Sequence, residues 1–174
     1  MRFLPLLLLT ACVSSTAVQS PLLPLRVHVD PQFRFVGEQR FILRGNADVT
    51  QHLFLDDTSS RLIWIQYERY LPAATGEYNY ERAKVVRIGR LEFDVHVRQY
   101  VAPPDDPESD RARVWQLLEA KGRHFEVPAT RVRLVHVPRN DPRSELMIIY
   151  AERGAIADEA ALLERATAAF AIGR

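Results

Sequence analysis

Alternation of apolar and polar residues dominates the first two thirds of the chain, and it predicts strands. Leu25–Val29 alternates and stops at Asp30-Pro31. Gln32–Val36 and Gln39–Arg44 are short β-rich runs split by Gly37, which predicts a hairpin. Asp48–Leu55 fits a strand through Val49, Gln51, Leu53 and Leu55 better than it fits a helix. Asp56–Ser60 is turn chemistry. Arg61–Leu71 puts Ile63, Ile65 and Tyr67 on one face and Leu62 and Trp64 on the other, so a central strand is expected. Tyr78–Ile88 and Leu91–Val101 read as two more strands around Gly89-Arg90. In the second, Leu91, Phe93, Val95 and Val97 face in while Glu92, Asp94, His96 and Arg98 face out.

The period then changes. Asp106 has the character of an N-cap with Pro107 at the first helical position, and Glu108 and Asp110 suit the positive end of a helix. Val114, Trp115, Leu117 and Leu118 make an apolar stripe that Gly122 ends, giving a helix over about 107–121. Thr130–Val137 and Glu145–Ala151 are strands joined by a polar loop; the run Leu146–Tyr150 is apolar on both faces and so central. An Ala-rich helix over about 156–172 follows, with Asp158 near its start, Ile156, Leu163 and Phe170 inward and Gly173 past its end. Consecutive strands with short loops predict an α+β fold. A mainly antiparallel sheet of about six to eight strands is expected, with both helices packed on one face.

The N-terminus follows a different pattern. Arg2 precedes an apolar run, Phe3–Leu9, interrupted only by Pro5, and small residues follow. These are the parts of a secretory signal. Phe3–Val13 is 11 residues, about 16 Å of helix against a hydrocarbon core of ~30 Å, too short to span a bilayer. Leu9-Thr10-Ala11-Cys12 resembles the lipobox of bacterial lipoproteins. The resemblance covers residues 1 to 12 only. It implies a signal peptide at 1–11 and a mature chain beginning at Cys12, with a diacylglyceryl thioether and an N-acyl chain. Several acyl chains anchor stably, whereas one is marginal. Val13 in place of Asp resembles the outer-membrane sorting class of proteobacterial lipoproteins. Residues 12–24, rich in Ser, Pro and small neighbours, are expected to be a flexible tether, and 25–174 one globular domain.

Composition narrows the picture further. The chain has 174 residues, one cysteine, and 23 basic against 22 acidic residues. One cysteine excludes a disulfide framework and, if lipidated, leaves no thiol nucleophile. Loss of Arg2 with the signal leaves the mature chain neutral, so no nucleic-acid partner is expected. All the basic residues except Lys84 and Lys121 are arginine, which a GC-rich genome explains more simply than a need to bind anions.

The candidate chemistry is sparse. No motif for a nucleophile elbow, a zinc protease, a dinucleotide or a phosphate loop is present. The histidines at 28, 52, 96, 124 and 136 lack close ligand spacing, so neither a metal nor a cofactor is expected. Glu92, Asp94 and His96 share one strand face, where a carboxylate could orient an imidazole; the plainer reading is a wet face balanced by Arg90 and Arg98. Trp64, Tyr67, Tyr70, Tyr78 and Tyr80 flank the Pro72–Gly76 loop, and a hairpin of Arg61–Leu71 with Tyr78–Ile88 would converge them into a binding surface. Their plainer reading is cross-strand packing. Arg131, Arg133, Arg139 and Arg143 could form a small anion patch. These features predict an outer-membrane-anchored periplasmic lipoprotein. It would act as a non-enzymatic binding or accessory module of the envelope, with an envelope protein or cell-wall component as partner. The alternatives are a lipid-tethered hydrolase using Glu92, Asp94 and His96, and a carrier of a small apolar ligand.

Overall fold

The computed structural model of the protein describes residues 16–81, 84–100, 106–155 and 157–173. Cys12, the segment 1–11 and Ile156 lie outside the described residues. Ten strands and two helices are described: β1 (Thr16–Gln19), β2 (Arg26–Val29), β3 (Phe33–Leu43), β4 (Ala47–Asp56), β5 (Arg61–Tyr70), β6 (Val85–Ile88), β7 (Leu91–Tyr100), α1 (Asp110–Ala120), β8 (Ala129–His136), β9 (Ser144–Arg153), α2 (Glu159–Ala168) and β10 (Phe170–Gly173). The fold is α+β, as the strand-rich pattern predicts, and every strand pairing is antiparallel.

The strands form two sheets. The larger has seven strands in the order β3-β4-β5-β9-β8-β7-β6, and the smaller has the order β1-β2-β10. β5 and β9 sit at the centre of the large sheet because both of their faces are apolar. Their alternating residues divide into two cores. Ile63, Ile65, Leu146, Ile148 and Tyr150 face the small sheet and α2, joined there by Val27, Leu162 and Phe170. Leu62, Trp64, Met147 and Ile149 face the opposite way, onto Val114, Leu117 and Leu118 of α1. The helices therefore lie on opposite faces of the sheet, not together on one. Two sided apolar strands need a cover on each side, and the chain has one helix for each.

Other differences from expectation have local causes. Gln32–Val36 and Gln39–Arg44 are one continuous strand, β3, with a bulge between Phe35 and Gly37 in place of a hairpin turn. Gly37 serves close approach: a Cβ there would stand 3.2 Å from the Lys121 side chain and 3.4 Å from that of Leu117, so α1 rests on the bulge. α1 is capped by Ser109, whose Oγ accepts the Ala112 N–H at 3.1 Å, and not by Asp106. The second helix ends at Ala168, and the residues after Ala169 turn into β10 against β2. Leu162, not Leu163, is its fully buried leucine. Thr16–Gln19 pairs with β2, so residues expected in a flexible tether belong to the folded unit. Among the described residues of Tyr78–Ile88, Val85–Ile88 is the strand, and it pairs with β7, not β5.

Candidate functional site: a polar row beneath an aromatic strap

Between β5 and β6 the chain must travel from the middle of the large sheet to its edge, past β9, β8 and β7. It does so on the α1 face. Arg143 fastens the start of this crossing, donating to the carbonyls of Leu71 and Ala74 at 2.7 and 2.8 Å. The Tyr78 N–H then donates to the Pro142 carbonyl at 2.8 Å. Residues 77–81 thus form a strap laid over the sheet without joining its ladder. Tyr70 and Tyr78 stack where it begins, with centroids 4.5 Å apart and planes at 24°. Tyr80 lies further along, with the Arg133 guanidinium 5.3 Å from its ring centre and His96 edge-on at 6.3 Å.

Beneath the strap the sheet is polar. Gln39, Gln51 and Gln66 occupy paired positions on β3, β4 and β5. Gln39 Nε2 donates to Gln51 Oε1 at 2.7 Å, Gln51 Nε2 to Gln66 Oε1 at 2.7 Å, and Gln66 Nε2 to Glu68 Oε2 at 2.7 Å. The row also reaches α1, because Gln39 and Gln51 donate to the carbonyls of Arg113 and Asp110. Buried amides demand partners, and here each supplies the next.

The row ends on a pair of carboxyls. Glu68 on β5 and Glu145 on β9 are cross-strand neighbours, 7% and 2% exposed. Tyr78 Oη donates to Glu68 Oε1 at 2.7 Å, and Tyr80 Oη donates to Glu145 Oε2 at 2.6 Å. Burial and the charge of Glu68 push Glu145 up to about 8, against the opposing pull of the Tyr80 hydroxyl and Arg133. Burial raises Glu68 as well, and Asp110 adds to it, although the Tyr78 and Gln66 bonds act the other way. The bonding pattern divides the roles. Glu68 accepts on both oxygens, the pattern of a carboxylate, whereas Glu145 accepts on Oε2. Tyr78 and Tyr80 are held as phenols by burial and by these carboxyl partners, both of which raise them.

Two open clefts flank the strap, and Tyr78 and Tyr80 line both. One, of about 260 Å³, reaches Glu68, Glu145, Arg44 and Arg133. The other, of about 420 Å³, reaches Glu92, Asp94, Arg87, Arg90 and Arg139.

The structure sorts the residues singled out from sequence. Tyr70, Tyr78 and Tyr80 are brought together, through the strap and not through a hairpin. Trp64 is buried, its indole N–H donating to Gln66 Oε1 at 3.1 Å. Tyr67 points into the opposite core and takes no part. Glu92 pairs with Arg87 at 3.0 Å. His96 is turned toward Tyr80 and Arg133, and burial followed by the Arg133 charge lowers its pKa. No group of three potential metal ligands occurs among the described residues. Three of the four arginines do not form one patch: Arg133 covers Tyr80, Arg143 ties the loop, and Arg139 stands at the rim of a cleft. Glu68 and Glu145 were not candidates from sequence. The signal available was phase, since each falls on the same side of its strand as an apolar stripe, Trp64 for one and Met147 and Ile149 for the other.

No family model matches the chain, and no curated protein or solved structure is significantly similar to it.

Proposed function

We propose that the protein is an envelope lipoprotein, anchored through Cys12 on the periplasmic face of the outer membrane, that acts as a non-enzymatic binding module. The Leu9-Thr10-Ala11-Cys12 sequence supports the anchor. The binding reading is carried by one observation: Tyr78 and Tyr80 line both clefts beside the strap, so a partner in either meets the same two rings. Their hydroxyls are held by Glu68 and Glu145, which presents the rings in a fixed orientation before any partner arrives. A tyrosine offers an apolar face and a polar tip, suited to an envelope protein or a cell-wall component.

Site-specific photo-crosslinking from Asn79, exposed between the two rings, tests this in native envelopes. A discrete adduct is expected from position 79 and not from exposed Glu164 on α2. Equal adduct patterns from both positions refute the surface. The Cys12→Ser variant is expected to leave the membrane fraction; its retention there refutes the anchor.

One observation favours a second reading, a tethered hydrolase. A proton-holding Glu145 beside the acceptor Glu68 is an acid–base arrangement, separate from the group Glu92, Asp94 and His96 on β7. Absence of turnover by the full chain across chromogenic glycosides and esters rejects that reading.

A further inference from the structure

A groove apart from the strap has walls of a different kind. The turn after β1 is fixed by Ser20, whose Oγ accepts the N–H groups of Leu22 and Leu23 at 3.1 and 2.8 Å. The turn closes when the Ser20 N–H donates to the Leu25 carbonyl at 3.1 Å. This leaves Leu22 and Leu23 half-buried, packed on the edge of the core that holds Leu162 and Phe170. Leu91 at the start of β7 and Ile172 on β10 stand in the same groove. The β6–β7 turn reaches Ile172 because Gly89 adopts φ +59°, and a Cβ there would lie 3.2 Å from the Ile172 carbonyl oxygen. The groove encloses about 830 Å³, within the ~300–1,000 Å³ of small-molecule sites.

Its charged lining is mostly cationic, Arg69, Arg90 and Arg139 against Asp141. Arg90 and Arg139 line this groove and also the neighbouring cleft of about 420 Å³. Neither makes an ion pair among the described residues, whereas Arg69 is engaged by Asp141 at 2.6 Å. A trough lined by aliphatic side chains and by two arginines outside any ion pair among the described residues matches one kind of molecule. A hydrocarbon chain removes the leucines and Ile172 from water, and a carboxylate takes charge-assisted bonds from the arginines. We propose that this groove binds a long-chain fatty acid, with the chain on Leu22, Leu23, Leu91 and Ile172 and the carboxylate between Arg90 and Arg139. The site lies between the small sheet and the loops of the large one, not inside a curled sheet, and it uses neither Tyr78 nor Tyr80.

The test is titration of the full chain, carrying Cys12→Ser so that it bears no acyl chain of its own, with cis-parinaric acid followed by fluorescence. Competition with saturated fatty acids and with fatty alcohols of equal length completes it. The acid is expected to bind in the low-micromolar range and the alcohol at least tenfold more weakly. Each shortening by two methylenes is expected to weaken binding about tenfold. The double variant Arg90→Gln/Arg139→Gln, at two exposed positions, is expected to bring the acid down to the affinity of the alcohol and to leave the alcohol unchanged. Leu22→Asp, in the turn, is expected to weaken both by at least tenfold. Absence of binding, equal affinity for acid and alcohol, or indifference to the arginine pair overturns the proposal. So does capture by anionic phospholipid vesicles that free fatty acid does not compete away.

Discussion

The two faces of the large sheet are built from the same strands, one residue out of phase, and they behave as different materials. On the face toward the small sheet, Ile65, Ile148 and Leu134 stand in register across β5, β9 and β8, all fully buried and all aliphatic. On the α1 face, one step along the same strands, the register reads Gln66, Met147 and Val135, and two residues further Glu68 meets Glu145. The first face supplies cohesion through area removed from water. The second gives up part of that area to polar groups that must be matched one to one, and in return it orients the strap. An aliphatic layer tolerates small shifts in its neighbours, whereas a chain of amides ending on two carboxyls fits a single arrangement.

The largest effect should come from the aliphatic face. Ile148→Ala deletes buried methyl and methylene groups at the centre of the seven strands, where neighbours on both sides prevent collapse. We expect a loss of about 2–5 kcal/mol in urea unfolding. The strap should be unaffected at moderate denaturant, as tyrosine fluorescence would report. A loss below about 1 kcal/mol would mean that this face is not the main source of stability.

A smaller effect, of a different form, is expected from the polar face. Glu145 has its pKa raised from 4.5 to about 8. Below 4.5 the residue is protonated in both folded and unfolded chains. Between 4.5 and about 8 the unfolded chain releases the proton while the folded chain keeps it. The folded state then binds more protons, so stability falls as pH rises through that window and levels off above it. The slope attributable to Glu145 is at most about 1.4 kcal/mol per pH unit. Glu68, raised in the same direction, adds to it. Glu145→Gln keeps an oxygen to accept from Tyr80 and removes the titration. It should flatten the profile and stabilise the protein at pH 8 more than at pH 5. An unchanged slope between pH 5 and 8 would show that Glu145 is ionised throughout.

The same contrast explains what could be read from the chain alone. Alternation located β2, β4, β5, β7, β8 and β9 within a few residues, because those strands have at least one apolar face and the period of two survives. It failed for the Tyr78–Glu81 part of Tyr78–Ile88, where alternating tyrosines follow from the two carboxyls below them and not from a ladder. It failed again at Phe170–Gly173, because four residues carry too little pattern to distinguish a strand from the end of a helix. Periodicity shows that each helix carries an apolar face able to cover a sheet. Which face each covers depends on the path of the chain around it, and periodicity does not encode that path. The carboxyl pair escaped for a similar reason, since Glu68 and Glu145 lie far apart in sequence and become neighbours only through the β5–β9 register.

The smallest effect probes the contact where the strap meets the polar row. Tyr78→Phe retains the ring, its stack on Tyr70 and its place beside both clefts, and removes only the hydroxyl that Glu68 Oε1 accepts. Loss of one hydrogen bond at a half-buried site costs about 1 kcal/mol. The bond favours the ionised form of Glu68, so without it Glu68 is raised further and titrates at higher pH. The variant should therefore lose stability more at pH 8 than at pH 5, the reverse of Glu145→Gln, and a pH series of urea melts measures both. If capture of a partner depends on the ring, crosslinking from Asn79 should survive Tyr78→Phe and fail in Tyr78→Ala. If it depends on how Glu68 holds the ring, both variants should weaken it, and Tyr78→Phe more strongly at alkaline pH.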